Sequence, residues 1–428
     1  MPKIKLMWLK TKLQENKSLV ESFFSLSLLN GLNALLPLIT LPHILRVVGT
    51  ANYGQYAYVY VLIQYLLLFN AYGFNYSASK QVAENQKNIS RLNVIYNSVI
   101  TCRLLLLVAG VIILSILSPI LLETSEKKWM FFLGLGVVLG DSLNSVWLFQ
   151  GMEKMRYLTM LNILSKSVFT ILIFVFVKES NDLPMVLGIN SLGFMLAGLA
   201  SVIIAKSQFH ISFFIPKLSD VKFQFREGAV IFGTSVGTSL YGNANVLILN
   251  FFVGENLLGI YAVAEKIIKG LQSLTLPIVQ ALFPYVSKNF IGQSLEYKID
   301  KIKRIASVLF LAFLIPNIAI FFLSDWFVSL IAGKGFEESG SLLMIMSPIF
   351  TIGALNHLLG ITGLINLGRQ DLFFYAVVLA GGVSVLFLLL FVSILGVATA
   401  SIAMLLSEII LLISCIVFVI RIKLKGNS

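Results

Sequence analysis

Twelve long apolar runs divide this chain and constrain its fold more than any other feature of the sequence. A helix needs about 20 apolar residues to cross a bilayer. The runs are continuously apolar and lack the alternation that strands of a membrane β-barrel require. The sequence therefore predicts an all-α polytopic membrane protein with twelve transmembrane helices, at about residues 19–42, 54–76, 93–120, 129–150, 158–178, 184–205, 227–253, 257–285, 304–331, 340–366, 371–393 and 396–420.

The composition excludes a soluble protein. Hydrophobic residues make up 57% of the chain and charged residues only 12%, whereas soluble domains contain about 45–50% and about 25%. A soluble enzyme, a nucleic-acid-binding protein and a disordered scaffold are thereby excluded. The two cysteines, Cys102 and Cys415, lie in apolar runs without partners at metal-ligand spacing, so we expect no disulfide framework, no metal site and no cofactor.

The distribution of basic residues predicts the orientation in the membrane. Of the 32 Lys and Arg residues, 23 fall on the side of the predicted membrane that carries both termini, and five fall on the opposite side. Because cytoplasmic loops carry the excess of basic residues, we expect a cytoplasmic tail at 1–18, a cytoplasmic linker at 206–226 and a cytoplasmic tail at 421–428. The N-terminal segment is too polar for a signal peptide, so we expect it to be retained.

An internal repeat predicts two halves. Residues 47–57 align with residues 252–262 at an offset of 205, and five of these aligned positions are identical, including two glycines and a tyrosine. The same offset places the first two predicted spans on the seventh and eighth. We expect two pseudo-symmetric six-helix lobes, at 19–205 and 227–420, which surround a central cavity as in rocking-type transporters.

Polar and basic side chains within the spans predict where a substrate passes. Polar side chains that face lipid are costly, so inward-facing stripes are expected to line the cavity. Ordinary hydrogen bonds between helices, or lysines that snorkel to the interface, would also explain these side chains. The candidates within the spans are Asn30, Asn33, Lys166, Ser235, Thr238, Asn245, Lys266 and Lys269.

Ionisable groups at bilayer depth are candidates for ion coupling, because each is costly unless it is paired or hydrated. The candidates are Asp141, Glu265, His357 and Glu408, although a packing role would also explain each of them. Glu265 and Lys269 are four residues apart on one helix, so we expect them to pair. For Arg103 two positions remain open: facing the cavity or snorkelling to the interface.

Several segments resemble the Wzx-type polysaccharide flippases, a family of the multidrug/oligosaccharidyl-lipid/polysaccharide exporter superfamily. The resemblance extends from about residue 20 to 420 and is carried by LPHILRVVGTANYGQYAYV, FNAYGFNYSASKQVAENQKN, SVWLFQGMEKMRYL, FVGENLLGIYAVAEKI and LPIVQALFPYVSK. It implies a two-lobed transporter in the bacterial inner membrane that moves undecaprenyl-pyrophosphate-linked oligosaccharides to the outer leaflet for O-antigen or capsule synthesis. It also implies that Arg46 occupies a basic position typical of the family, although a residue at the membrane boundary would equally account for it.

Two alternatives remain at this stage. Another exporter of the same superfamily, a drug/cation antiporter or a peptidoglycan-precursor flippase, would have the same architecture. A membrane glycan polymerase or ligase is an alternative from a different class. Such enzymes need a large outer loop with catalytic residues, whereas the longest polar stretches here, 206–226 and 286–304, are predicted to be cytoplasmic. We therefore expect a transporter rather than an enzyme, with other glycan-assembly membrane proteins as further candidate partners.

Overall fold

The computed structural model describes residues 39–426 except 276–277, 280–281, 284–285, 288–289 and 291; side chains are also left undescribed at 230, 234, 237–242, 423, 425 and 426. The regular secondary structure of the described residues is helical, which confirms the predicted all-helical class. The helices are α1 (39–71), α2 (Phe74–Glu84), α3 (Ile89–Leu121), α4 (Ser125–Leu143), α5 (Val146–Gly151), α6 (Met155–Phe176), α7 (Leu183–Phe209), α8 (Leu218–Leu249), α9 (Glu255–Ser273), α10 (Leu295–Phe322), α11 (Ser324–Ile331), α12 (Glu338–Met346), α13 (Ile349–His357), α14 (Gln370–Leu395) and α15 (Ala398–Gly426).

Nine helical segments of the described residues are long and apolar enough to cross a membrane. They coincide with predicted spans two to six and nine to twelve. Helices α8 and α9 lie on the seventh and eighth predicted spans, and most of the first predicted span lies outside the described residues. The total of twelve therefore remains a prediction. The nine segments are Ile39–Glu84, Ile89–Leu121, Ser125–Gly151, Met155–Phe176, Ser180–Phe209, Leu295–Phe322, Glu338–Leu364, Gln370–Leu395 and Ala398–Ile422.

The described chain packs as two compact units. The first contains Ile63–Phe176 and Pro184–Gly233, and its core is built around Trp147, Phe149 and Tyr96. The second contains residues 39–62, Val177–Leu183 and the described residues from Thr234 onward. The lobe boundaries predicted from the sequence stay a prediction.

In the first unit, the fourth predicted span is broken where α4 meets α5. Asn144 has an extended backbone, with φ −78° and ψ 113°. A break within a membrane helix requires other partners for the freed backbone groups. Arg103 of α3 donates to the carbonyl of Asn144 at 2.9 Å, and the hydroxyl of Ser201 on α7 accepts from the N–H of Ser145 at 2.8 Å. The break is therefore stabilised by side chains of two neighbouring helices.

In the second unit, the repeat segments cross each other at glycines. Gly54 of α1 and Gly259 of α9 occupy equivalent positions in the repeat, and each lies against the backbone of the opposite helix. A Cβ atom on Gly54 would lie 2.0 Å from the carbonyl oxygen of Glu255, and one on Gly259 would lie 2.0 Å from that of Thr50. Gln55 also donates to the Glu255 carboxylate at 2.6 Å. Thr50 and Glu255 are also equivalent positions of the repeat. Each segment therefore places its glycine against the same backbone carbonyl of the other segment.

We expect Gly54→Ala to lower the free energy of unfolding by about 1–3 kcal/mol, because the new methyl group forces two backbones apart. Gly382→Ala is the matched control: a Cβ atom on this helical glycine would meet no neighbouring atom within 4 Å, so alanine should be neutral or stabilise by about 0.5–1 kcal/mol. Denaturant unfolding of the purified protein in detergent measures both changes. Equal stability of the two variants would contradict the close crossing.

Candidate functional site

Helix α9 carries an accessible basic face beside its buried central stretch. Every residue from Leu258 to Ile268 is buried except Lys266, which is exposed. Lys269, one turn further on, is half-buried. Lys266 lies about 16 Å along the helix from its first residue, close to the middle of a bilayer core of about 30 Å. The second unit therefore presents a cation deep within a predicted membrane span.

The predicted pair on α9 is confirmed. The Lys269 ammonium donates to the Glu265 carboxylate at 2.9 Å. Glu265 is only 8% exposed.

Asn245 of α8 is also buried, and it donates to the hydroxyl of Tyr261 at 3.1 Å and to the Ala400 carbonyl at 3.4 Å. Through these bonds, Asn245 connects α8 with α9 and α15.

Three tyrosines of α1 form a ladder beside Lys266. Tyr53, Tyr56 and Tyr60 share one helical face, and their successive ring centroids are 5.7 and 5.6 Å apart. The ammonium of Lys266 lies 5.7 Å from the centroid of the Tyr60 ring, a cation–π distance. These tyrosines were not among the residues predicted from the sequence, although their i, i+3, i+7 spacing indicates a shared face. We refer to Tyr53, Tyr56, Tyr60, Glu265, Lys266 and Lys269 as the lysine–tyrosine cluster.

Glu408 is the centre of a second buried group in this unit. It lies about 15 Å along α15 from its first residue and is 5% exposed. Gln272 of α9 donates to one carboxylate oxygen at 3.2 Å, and Asn356 of α13 donates to the other at 2.5 Å. Gly353 provides the space, because a Cβ there would lie 1.8 Å from the amide nitrogen of Gln272. Two amides thus hold this carboxylate at membrane depth.

In the first unit, a buried Arg103 and a half-buried Asp141 form an ion pair. The guanidinium contacts the Asp141 carboxylate and donates to the side-chain oxygen of Asn70 at 3.1 Å. Arg103 is 1% exposed, so the snorkelling alternative for this residue is wrong: its charge is satisfied within the helix bundle. The pairing also shows that Asp141, a coupling candidate, is held by a fixed cation.

The remaining candidates are spread over both units. Arg46 is exposed and donates to the Leu330 carbonyl at 2.8 Å, at the C-terminal end of α11, where cations satisfy free carbonyl groups. Lys166 on α6, Ser235 on α8 and His357 at the end of α13 are half-buried. Asn30, Asn33 and the side chain of Thr238 lie outside the described residues.

The lysine–tyrosine cluster has the chemistry to bind an anionic ligand that also has apolar faces. Lysines attract phosphate oxygens, and aromatic faces pack against apolar faces of a ligand. Across the described part of the chain, no three His, Cys, Asp or Glu side chains are grouped as a metal site. The arrangement combines positive charge, hydroxyl groups and aromatic surface at membrane depth.

Sequence comparisons find a matching family and named relatives. Residues 19–290 match the profile of a family described as polysaccharide biosynthesis protein. A putative O-antigen transporter of Escherichia coli (strain K12) is 27% identical over 407 residues, which cover 95% of this chain and 98% of that protein. A putative O-antigen transporter of Shigella dysenteriae is 27% identical over 323 residues, which cover 75% of this chain and 80% of that protein.

Solved structures share the fold. An inward-facing multidrug resistance MATE family transporter of the MOP superfamily superposes with a TM-score of 0.72 at 13% identity, over 92% of this chain and 94% of that one. The lipid II flippase MurJ in an inward closed conformation gives a TM-score of 0.71 at 13% identity, over 94% and 87%. Together with the apolar helices, these similarities identify the fold of a multi-pass membrane protein.

Proposed function

Since the chain belongs to the polysaccharide biosynthesis protein family, we propose that it is a flippase for undecaprenyl-pyrophosphate-linked oligosaccharides in O-antigen or capsule assembly. The cargo moves from the cytoplasmic to the outer leaflet. Two related proteins over most of the chain are named putative O-antigen transporters, which supports this assignment. The protein resides in the bacterial inner membrane with both termini in the cytoplasm.

The observation that carries this proposal is the basic, aromatic face in the second unit. A pyrophosphate and its sugars are too polar to cross hydrocarbon, because each unsatisfied polar group costs several kcal/mol there. Lys266 and Lys269 offer charge to the pyrophosphate, while Tyr56 and Tyr60 offer aromatic surface to the sugar rings. The two lysines lie on one helix, one turn apart, so both can contact one head group.

Transport proceeds by alternating access of two six-helix lobes, at 19–205 and 227–420. Glu408, Glu265, Asp141 and His357 are the candidates for coupling to an ion gradient. Glu408 accepts hydrogen bonds from the side-chain amides of Gln272 and Asn356. Transport in vesicles that is indifferent to both proton and sodium gradients would remove the coupling role from all four.

The other functions considered are less well supported. The MATE likeness, at 13% identity, concerns the fold, so it does not favour a drug/cation antiporter. The MurJ likeness is of the same kind, so a peptidoglycan-precursor flippase gains no further support. The relatives are named transporters, which does not favour a glycan polymerase or ligase.

Deletion of the gene is expected to remove the surface glycan and to leave undecaprenyl-linked oligosaccharide in the inner leaflet. Mass spectrometry of extracted lipids identifies the accumulated cargo, and membrane-impermeant labelling of its sugars reports the leaflet. Restoration of the gene is the control. Loss of the surface glycan with the linked oligosaccharide already in the outer leaflet would instead point to a polymerase or ligase.

A further inference from the structure

An apolar groove of about 550 Å³ runs along the surface of the second unit. It lies between α10, α13 and α15. Its floor is buried and consists of Ile302, Leu355, Leu359 and Val419, each at most 8% exposed. The volume is within the range of about 300–1,000 Å³ that is typical of sites for small organic ligands.

The edges of the groove face the surroundings. Phe310 of α10 is 44% exposed and Ile416 of α15 is 41% exposed, and both line the groove. Ala306 and Ser307 are the small residues of α10 that leave the space between these edges. The lining from Lys303 to Leu311 extends about 12 Å along the helix. An apolar groove that follows a membrane helix for about this length is suited to part of a hydrocarbon chain.

One end of the groove is basic. Lys303 lines it, and Lys301 and Arg304 neighbour Lys303 in the early turns of α10. On α15, Arg421 follows directly after Ile420, another lining residue. The basic residues of these two helix ends place this end at the cytoplasmic surface by the positive-inside rule. Its charge is complementary to an anionic head group in the inner leaflet.

The wall of the groove also contains an irregular helix. Residues Leu358–Leu364 form a π-helix directly after α13, and Leu359 of the floor belongs to it. π-Helical turns are uncommon and occur frequently at functional sites. This observation is independent of the groove's volume and charge.

We propose that this groove binds the polyprenyl chain of an anionic polyprenyl diphosphate in the inner leaflet, with Lys303 at its diphosphate before the head group reaches Lys266 and Lys269. The proposal rests on the proposed function and adds a site for the lipid part of the cargo. A polyprenyl diphosphate has one chain and a doubly phosphorylated head, which matches a single groove with a basic end. A glycerophospholipid has two chains and a single phosphate group, and it fits this shape less well.

Photolabelling tests the groove without requiring transport. The probe is undecaprenyl diphosphate without sugar, bearing a diazirine on its chain, in vesicles of phosphatidylethanolamine and phosphatidylglycerol that contain the full-length protein. Labelled peptides are expected from α10 and α15. We expect Ala306→Trp, which fills the groove, to reduce labelling about tenfold, a change that corresponds to about 1.4 kcal/mol.

Matched variants provide the controls. Val308→Trp adds the same side chain on the same helix at a position that is 60% exposed and does not line the groove, so labelling should be unchanged. Lys303→Glu should reduce labelling more than Lys301→Glu, because Lys301 does not line the groove. Equal labelling of the two tryptophan variants would overturn the proposal, as would labelling that excess phosphatidylglycerol removes as well as unlabelled undecaprenyl diphosphate does.

The results of photolabelling and of transport assays distinguish failure of the groove proposal from failure of the proposed function. If the protein transports a lipid-linked oligosaccharide but the groove is not labelled, the groove proposal fails alone. If the groove is labelled with the expected pattern but the protein moves no lipid-linked oligosaccharide, the proposed function fails and the prenyl diphosphate site stands.

Discussion

Replacing Arg103 with methionine should lower the free energy of unfolding by about 3 kcal/mol, the lower end of the usual cost of breaking a buried ion pair, because the Asp141 side chain is half-buried. The guanidinium contacts Asp141, Asn70 and the carbonyl of Asn144. Its removal leaves a half-buried carboxylate without its cation and a freed carbonyl at the break between α4 and α5. A large decrease in the thermal unfolding temperature of the purified protein, and less protein in the membrane, are the measurable results.

Two further variants distinguish loss of the Arg103–Asp141 ion pair from nonspecific destabilisation of the fold. Arg103→Met combined with Asp141→Leu should recover much of the loss, since replacing both charges by apolar groups removes the uncompensated charge. Arg369→Met tests an exposed pair: Arg369 contacts Asp371 at 3.0 Å, with side chains 43% and 50% exposed, so its loss should cost at most about 1 kcal/mol. If Arg103→Met is as mild as Arg369→Met, the Arg103–Asp141 pair does not stabilise the fold as described.

Replacing both Lys266 and Lys269 with alanine should abolish glycan export at a normal protein level. A hydrogen bond to a charged group contributes about 1.5–3 kcal/mol, so two lost contacts to a pyrophosphate weaken binding by about a hundredfold or more. Surface glycan and transport of lipid-linked oligosaccharide into vesicles measure the effect. Unchanged export by the double variant would remove these lysines from the binding site.

The control for this prediction addresses Glu265, which loses the ammonium of Lys269 in the double variant. Adding Glu265→Gln to the two alanine substitutions removes the carboxylate that has lost the Lys269 ammonium. Any stability lost in the double variant should then be recovered, while transport stays absent. Lys266→Arg with Lys269→Arg keeps both charges and should retain substantial transport. Recovery of transport in the triple variant would show that the defect came from the buried carboxylate.

Local patterns in the sequence predicted the features that depend on one segment. Long apolar runs located the spans, because a helix that crosses hydrocarbon needs such a run whatever its neighbours are. The Glu265–Lys269 pair was predictable because side chains four residues apart on a helix are neighbours. The repeat at 47–57 and 252–262 was also visible, and its equivalent glycines meet in the second unit.

Features that join different helices were not predictable from one sequence. Arg103 and Asp141 belong to neighbouring spans, and the rotation and depth of each helix decide whether their side chains meet. The break at Asn144 lies within the fourth predicted span, and it depends on a donor from α3 and an acceptor from α7. The amide partners of Glu408 come from two other helices. The three tyrosines of α1 indicate a binding site only because the ammonium of Lys266, on another helix, lies beside them.

The sequence by itself determined that the chain is an all-helical membrane protein, because hydropathy and charge bias follow from contact with lipid and water alone. Only the tertiary structure decided which charges of different helices are paired and which polar face stays accessible. The reason is that interactions between helices depend on packing geometry, and side chains distant in the sequence define that geometry together.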